Sequence, residues 1–406
     1  MTPPRSPLLT ALHKLAARPT EHGAWLALAA QLAASGYAED AERALWIVGQ
    51  SGVQGGQVAL AVACGRLLAQ RGNVRGPELL EEVAVTYCQG SALVSEDGLP
   101  APHAEAVPLD LPADLASEQE QVAAVRTAFE LLGPVATRPA PGKLPLAPLL
   151  SALPVGGARA LVGVMSARSV RAGEVIVDVG QPAASLYWLA YGSVAVLRDG
   201  VRLGELHGGA FFGEIALVGG TSRTAQVVAR TDVWLLEIPA RAVEAAAQRH
   251  PQLAEVLAAH AKARLLANLM RTSELFAALG TKERAAVLDK FTTQIVDAGA
   301  QLIHEGQVGS HLWVVVAGRC DVSSAGAEVA RLGPGAAVGE ISLVSGKPAV
   351  ADVFAAERTV LLCLAREDFH AVVAAHPELL ARVESLVVAR EEQNRALFHD
   401  ASDLLV

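Results

Sequence analysis

Four cysteines are few for 406 residues, and their spacing excludes more than their number does. Cys64, Cys88, Cys320 and Cys363 form no C-x-x-C pair and no Cys/His cluster, so free, structural thiols in a reducing compartment are expected rather than a zinc or redox site. Positive charge is also short. Lys and Arg number 33 against 42 Asp and Glu, a formal net charge of −9 at pH 7. A nucleic-acid surface needs a basic face to neutralise phosphates, so none is expected. Long apolar runs are missing as well. The windows near Ala24–Ala34 and Val58–Gln70 are too short and too interrupted to cross a bilayer. The start, MTPPRSPLLTALHKLAARP, has no secretory pattern. A cytoplasmic chain with neither membrane nor nucleic-acid partner is the expectation. No Walker loop, nucleophile elbow, kinase signature or metal cluster occurs, so the chain is expected to be no enzyme and to need no metal.

What is present is enough to build cores. Hydrophobic residues make up 52% of the chain and charged residues 18%, which allows two or three packed domains. In residues 1–88, Trp25, Leu28, Ala29, Leu32, Ala41, Leu45 and Val48 recur at helical spacing, with Gly36 interrupting them. The spacing predicts two helices joined by a tight turn. The order of residues resembles one tetratricopeptide repeat, and Cys64, Gly65, Leu68 and Gly72 make a weaker second copy. The step from Gly36 to Gly72 exceeds that family's usual period of about 34 residues, and an ordinary Ala/Leu-rich helical hairpin fits as well. Either form suits partner contact or self-association, a homodimer included. Residues 89–147 are richer in proline. Pro100, Pro102, Pro108 and Pro112 prevent a helix, Gln119–Leu132 has one apolar face, and Pro134, Pro139 and Pro141 follow. The expectation there is an extended, mobile linker containing one short helix.

Beyond residue 147 the chain copies itself. Gly173 and Gly299, Gly180-Gln181 and Gly306-Gln307, Gly192 and Gly318, Gly213-Glu214 and Gly339-Glu340, and His250-Pro251 and His376-Pro377 all stand one constant interval apart, the 126 positions between 213 and 339. Ungapped coincidence of this kind means two copies of one domain, at 148–273 and 274–399. Each copy has a helical lead-in (Leu150–Met165, Phe276–Phe291) and a helical tail. Between them lie short strand-like runs, Glu174–Val179, Leu186–Leu189, Ser193–Leu197, Val201–Leu206 and Val233–Ile238 in the first copy. Turns spaced by about 8–12 residues predict an antiparallel jelly roll. The expected fold class is α+β: two tandem antiparallel β jelly-roll barrels with flanking helices, preceded by a small α-helical segment.

The stretch Gly208–Val227, GGAFFGEIALVGGTSRTAQV, carries the chemistry. A glycine at the entrance of a short apolar run can start a helix with free N–H groups, which attract an anion. An arginine nearby can clamp a phosphate with its fork of donors. A carboxylate can accept from a ribose hydroxyl. Phosphate with ribose means a nucleotide.

Phe212-Gly213-Glu214-Ile215-Ala216-Leu217 followed by Arg223-Thr224-Ala225 resembles the phosphate-binding cassette of the cyclic nucleotide-binding domain of kinase regulatory subunits, gated channels and bacterial catabolite regulators. Ser222 stands where that family usually has proline. The resemblance implies that Arg223 pairs with the cyclic phosphate and Glu214 accepts from the ribose 2′-hydroxyl. It also implies that the N–H groups of Gly213, Glu214, Ile215, Ala216, Thr224 and Ala225 complete the cradle. A hydroxyl residue at Thr224 bears on base preference but leaves both cAMP and cGMP open, with cAMP preferred only on breadth of use. His207 is expected to be a turn residue. Phe276 is the nearest aromatic to cap a base. In the second copy, GAAVGEISLVSGKPAVADV, Ala349 occupies the arginine's place and Val338 that of Phe212. Lys347 offers at best a substitute point charge. Nucleotide is therefore expected in the first barrel, with weak or no binding in the second.

The function expected on these grounds is that of a cAMP or cGMP sensor. Ligand in the first barrel would draw the apolar tail Leu253–Met270 over the site and pass a conformational change to an unidentified protein partner. The alternative is an interaction scaffold whose degenerate barrels bind no nucleotide. A kinase regulatory subunit would need an Arg-Arg-x-Ser-like inhibitor stretch, and residues 89–147 contain none.

Overall fold

The computed structural model describes the chain except residues 1–5, 100–110, 112–114, 116, 139–141, 199, 214–220, 273–286, 288–289, 325, 378, 382, 386 and 390–406, with only the backbone of 135–136 and 265–272. It divides into two compact units. One comprises Met1–Asp178, Ala184–Phe212 and Ala225–Leu257, and the other Val179–Ala183, Gly213–Thr224 and Ala258–Val406.

The first unit opens with five helices: α1 (Pro7–Ala17), α2 (His22–Ala34), α3 (Ala38–Gln54), α4 (Val58–Gln70) and α5 (Arg75–Tyr87). Ser6 caps α1 by accepting from the Leu9 N–H at 3.1 Å, and Pro7, at the helix start, loses no helical bond by lacking its N–H. Gly36 sits at φ +86° between α2 and α3. There the Tyr37 N–H donates to the Leu32 carbonyl at 2.9 Å, satisfying a helix end that would otherwise be left open. The apolar stripe read from the sequence is the buried one: Trp25, Leu28, Leu32, Ala41, Leu45 and Val48 are all removed from solvent. α4 is buried on nearly every side and lies between α3, α5 and three barrel strands.

The stretch read as a mobile linker is partly built into this unit. β1 (Val94–Ser95) pairs in parallel with β2 (Leu144–Pro145). The helix within it, α6 (Glu118–Ala136), is longer than expected and runs through Pro134. That proline forgoes the bond an N–H would make to the Glu130 carbonyl, and the helix end beyond it is closed by the Thr137 N–H and hydroxyl, which both donate to the Gly133 carbonyl at 3.0 Å. α6 is docked rather than free. Phe129 stacks on Trp25 at 5.7 Å, and Arg126 donates to both carboxylate oxygens of Asp40 at 2.8–3.2 Å. Among the expected linker prolines, residues 100, 102, 108, 139 and 141 lie outside the described residues, as does Pro112.

After α7 (Val155–Val164) comes the first barrel, with strands β3 (Ser166–Val170), β4 (Val175–Val177), β5 (Ser185–Tyr191), β6 (Ser193–Arg198), β7 (Val201–His207), β8 (Phe211–Phe212), β9 (Gln226–Ala229) and β10 (Val233–Pro239). They form two four-stranded antiparallel sheets, β3-β10-β5-β8 and β4-β9-β6-β7. Leu189, Val194, Val227 and Leu235 fill the space between them. α8 (Ala240–Ala247) and α9 (Gln252–Thr272) follow.

The second barrel repeats the plan. β11 (Thr292–Val296), β12 (Gln301–Ile303), β13 (His311–Ala317), β14 (Cys320–Ser324), β15 (Ala327–Leu332), β16 (Ala337–Val338), β17 (Asp352–Ala355) and β18 (Thr359–Ala365) form sheets β11-β18-β13-β16 and β12-β17-β14-β15. This is the first barrel's order, strand for strand. A short helix, α10 (Glu340–Ser345), lies between β16 and β17, and α11 (Arg366–Ala375) follows β18. In the helical tail Leu379, Val383 and Val387 are buried in the apolar cluster with Phe369. The lead-in Phe276–Phe291 falls almost wholly outside the described residues. The jelly-roll fold class thus stands, with β3, β8 and β9 as strands the sequence did not announce.

Candidate functional site

The cassette begins where β8 ends. Tyr187 pairs with Phe212 and Trp188 with Phe211 across β5 and β8, and both pairs stack, at 5.1 and 4.7 Å. These offset aromatic pairs fix the strand that leads into the cassette. Gly213 follows at φ +88°, a left-handed conformation that side-chain-bearing residues adopt only with strain.

Arg223 is held from three sides. Its N–H donates to the Gln181 carbonyl and its own carbonyl accepts from Gly180, both at 2.9 Å. Ser222 forms an isolated bridge with Pro182. The guanidinium is buried, with the residue only 6% exposed, and its Nη1 donates to the Gly213 carbonyl at 2.8 Å. An arginine is costly to bury unless its donors are occupied, and this one is kept beside the glycine that opens the cassette. Thr224 and Ala225 are half-buried. Glu214, Ile215 and Ala216 lie outside the described residues, as does Phe276; Leu266, Leu269 and Met270 are described in backbone only. Leu253 is buried, and His207 is exposed at the end of β7, where a turn begins.

The second barrel holds the same frame with other side chains. The Gly306 N–H donates to the Ala349 carbonyl and the Ala349 N–H to the Gln307 carbonyl, both at 2.8 Å. These are the counterparts of the Gly180, Arg223 and Gln181 contacts. Gly339 has φ +90°, and a Cβ on it would meet the His311 carbonyl oxygen at 2.5 Å. Val338 is buried and Ala349 packs against the same apolar cluster. Glu340 is 1% exposed, whereas Lys347 is exposed.

A second concavity was not foreseen. In the first unit a cleft of about 770 Å³ lies between the start of α2, the α3–α4 turn and the β5 and β7 ends, with His22, Trp188, Tyr191 and His207 on its walls. A Cβ on Gly23 would collide with the Tyr191 hydroxyl. Burial, with the Glu21 charge, pushes that hydroxyl's pKa up. Nothing in the sequence brings positions 22 and 207 together.

Among the described residues no group of three His, Cys, Asp or Glu side chains could hold a metal ion, and no helix is long and apolar enough to cross a membrane. Cys64, Cys320 and Cys363 are buried free thiols and Cys88 is half-buried. Burial, with the neighbouring Asp321 charge, pushes Cys320 up to about 11.

Comparison with known proteins finds one domain family and several relatives. The family model of the cyclic nucleotide-binding domain matches the chain twice, at residues 167–250 and 293–376. The cAMP-dependent protein kinase regulatory subunit of Yarrowia lipolytica is 26% identical over 52% of this chain and 55% of its own length. The cGMP-dependent protein kinase of Caenorhabditis briggsae is 28% identical over 52% of this chain and 28% of its own. The chain therefore spans about half or less of these relatives. Among solved structures, the regulatory domain of Toxoplasma gondii PKA with cAMP covers 60% of this chain and 92% of that one, at 21% identity and a TM-score of 0.28. The Thermus thermophilus catabolite activator protein covers 32% and 63%, at 30% identity and a TM-score of 0.29.

Proposed function

Starting from two cyclic nucleotide-binding domains in tandem, we propose that this chain is a cyclic nucleotide sensor that binds its ligand in the first barrel and passes the change to a protein partner. Arg223 is the observation that carries the reading: a buried guanidinium fixed at the cassette entrance in one copy, in a backbone frame where the other copy has Ala349. In this reading Arg223 clamps the cyclic phosphate and Glu214 takes the ribose 2′-hydroxyl. Gly213, Ile215, Ala216, Thr224 and Ala225 supply backbone donors, and Phe212 backs the cassette. Reversible binding of one small anion needs preorganised donors and a positive charge out of solvent.

Both cAMP and cGMP stay open as ligands, and the relatives named above include kinases and kinase subunits of each kind. We place the domains at 148–273 and 274–399, the helical segment at 1–88 and a connecting segment at 89–147. The helical segment is the surface offered to the partner. A nucleotide can bias that partner only through its unequal affinity for two arrangements of the chain.

Calorimetric titration of the full chain with cAMP and with cGMP tests this, alongside Arg223→Ala. One site per chain, abolished or greatly weakened in the variant, is the expected result. If neither nucleotide binds at millimolar concentration, the scaffold reading replaces the sensor. Two equal sites would mean that Ala349 does not silence the second barrel.

A further inference from the structure

The strand that opens the first cassette has two faces. Phe212 of β8 and its partner Tyr187 lie in the cluster between the sheets, with Leu189. Side chains alternate along a strand, so Phe211 and Trp188 point out of the barrel. They are nevertheless only 3% and 2% exposed. The helical segment lies over this face. α4 packs across β5, β10 and β3, and Trp188 shares a cleft wall with Val58 and Leu60 at the start of α4. The seat is close: a Cβ on Gly23, at the start of α2, would collide with the Tyr191 hydroxyl at the end of β5.

Trp188 makes two contacts there. Its ring stacks on Phe211 at 4.7 Å, 14° from parallel. Its Nε1 donates to the Gly209 carbonyl at 3.0 Å. Gly209 sits at φ +93° in the turn between β7 and β8, and its own N–H donates to the Leu189 carbonyl at 2.7 Å. The indole thus holds both the turn before β8 and the first residue of β8, and Gly213 follows two residues after that one.

The second barrel builds the same turn without an indole. Gly335, the counterpart of Gly209, has φ +95°, and its N–H donates to the Val315 carbonyl at 2.8 Å. Val314 and Ala337 stand 126 positions after Trp188 and Phe211, in a cluster with Phe369 and Val372 of α11. The backbone turn therefore does not need the aromatic tie, and the tie calls for another reason. A strand as short as β8 has few bonds of its own, so its end samples other conformations unless side chains fix it. A site whose competent form is only partly populated binds more weakly by that fraction.

We infer that Trp188 and Phe211 are positioning residues: beneath the helical segment, they hold β8 so that the cassette entrance at Gly213 is preorganised. A partner that shifts α4 would then act on the cassette through β5 and β8, and nucleotide would alter that partner's affinity by the same factor. The inference rests on the reading of the first barrel as a nucleotide site for its ligand, whereas the tie can be measured without one.

The test titrates the full chain, Trp188→Phe, Trp188→Leu and Val83→Ala with cAMP and with cGMP, and unfolds each in urea. Trp188→Phe keeps a ring against Phe211 and drops the N–H; Trp188→Leu drops both. Val83 is buried on α5, which packs on α3, α4 and α7, so Val83→Ala lowers stability without touching the tie. Nucleotide binding should weaken about threefold in Trp188→Phe and about tenfold in Trp188→Leu, the effects of one ordinary hydrogen bond and of that bond with an aromatic pair, and stay unchanged in Val83→Ala. Unchanged affinity in both tryptophan variants overturns the inference, as does an equal loss in Val83→Ala. A wild type that binds neither nucleotide sinks the first-barrel reading instead, and amide exchange without nucleotide then decides. The Gly209 amide should exchange about tenfold faster in Trp188→Leu, with no change at Gly173, whose N–H donates to the Ala229 carbonyl at 2.8 Å. Equal acceleration at both, or none at Gly209, overturns the inference. If Trp188→Leu does not fold, Trp188→Phe is read in its place, with about threefold faster exchange at Gly209.

Discussion

The two barrels have the same strand order, the same glycines at positive φ and the same backbone ladder around position 223 or 349. They differ in where they keep their buried polar groups. The first holds a guanidinium at the cassette entrance, donating to Gly213. In the second, Ala349 in that place packs against an apolar cluster, while the Ser342 hydroxyl accepts from the Gly309 N–H and donates to the Lys347 carbonyl, and Arg366 donates to the Ser342 carbonyl. What the copies share is backbone shape, and what they do not share is the charged side chain on which the proposed ligand site depends. Gly213 and Glu214 alone could not have made that distinction, since both recur as Gly339 and Glu340.

The largest expected effect breaks the comparison at Arg223. Arg223→Ala makes the first cassette resemble the second. Removing one partner of a buried charge-assisted contact costs about 2–5 kcal/mol, which weakens nucleotide binding by roughly thirtyfold to several thousandfold. Stability should fall much less, by about 1 kcal/mol, the worth of a hydrogen bond such as the one to the Gly213 carbonyl. Titration and denaturant unfolding of the same variant separate the two. An unfolding change as large as the binding change would make Arg223 a residue of the fold rather than of the site.

Gly339→Ala tests the shared half. Its φ of +90° and the 2.5 Å approach of a Cβ to the His311 carbonyl should cost about 2 kcal/mol of stability with no ligand present. A lowered midpoint of the second barrel in urea is the expected outcome. An unchanged midpoint would mean that this glycine is not needed for folding, and that its recurrence belongs to the site instead.

The repeat was legible because its markers are backbone requirements. Gly192 and Gly318 have φ of +90° and +87°, and a Cβ on either would strike the turn between two strands, at the Asp232 or Arg358 carbonyl. Residues chosen for backbone shape survive copying, so the domain plan could be read from their interval. Arg223 stood out because a cation set within a Gly-rich apolar run is costly to bury, a cost that an anion beside it would offset. Three kinds of feature did not. β8 is two residues long and β9 four, too short for alternation to show. α6 was underestimated because Pro134 reads as a helix breaker, and because its docking depends on partners 86 residues away, as Arg126 and Asp40 are. The tie through Ser342 was hidden because a serine in an apolar run does not announce that its hydroxyl will join Gly309 to Lys347. Long-range polar pairing leaves no periodic trace.

The smallest effect sharpens the comparison at the next position. Thr224 is half-buried beside Arg223, and its counterpart Val350 is 48% exposed in a barrel expected to take no ligand. If the Thr224 hydroxyl reaches the base, it should favour guanine, whose exocyclic amino group can donate to it, whereas adenine has no amino group at that position. Thr224→Val keeps the shape and removes the hydroxyl, giving the first copy the residue of the second. The expected result is a loss of cGMP affinity of about 0.5–1.5 kcal/mol, or roughly two- to tenfold, with cAMP affinity nearly unchanged. Parallel titrations with the two nucleotides read the difference directly. Equal losses for both would place the hydroxyl in the cassette's own support. No loss for either would leave base preference to residues outside the cassette.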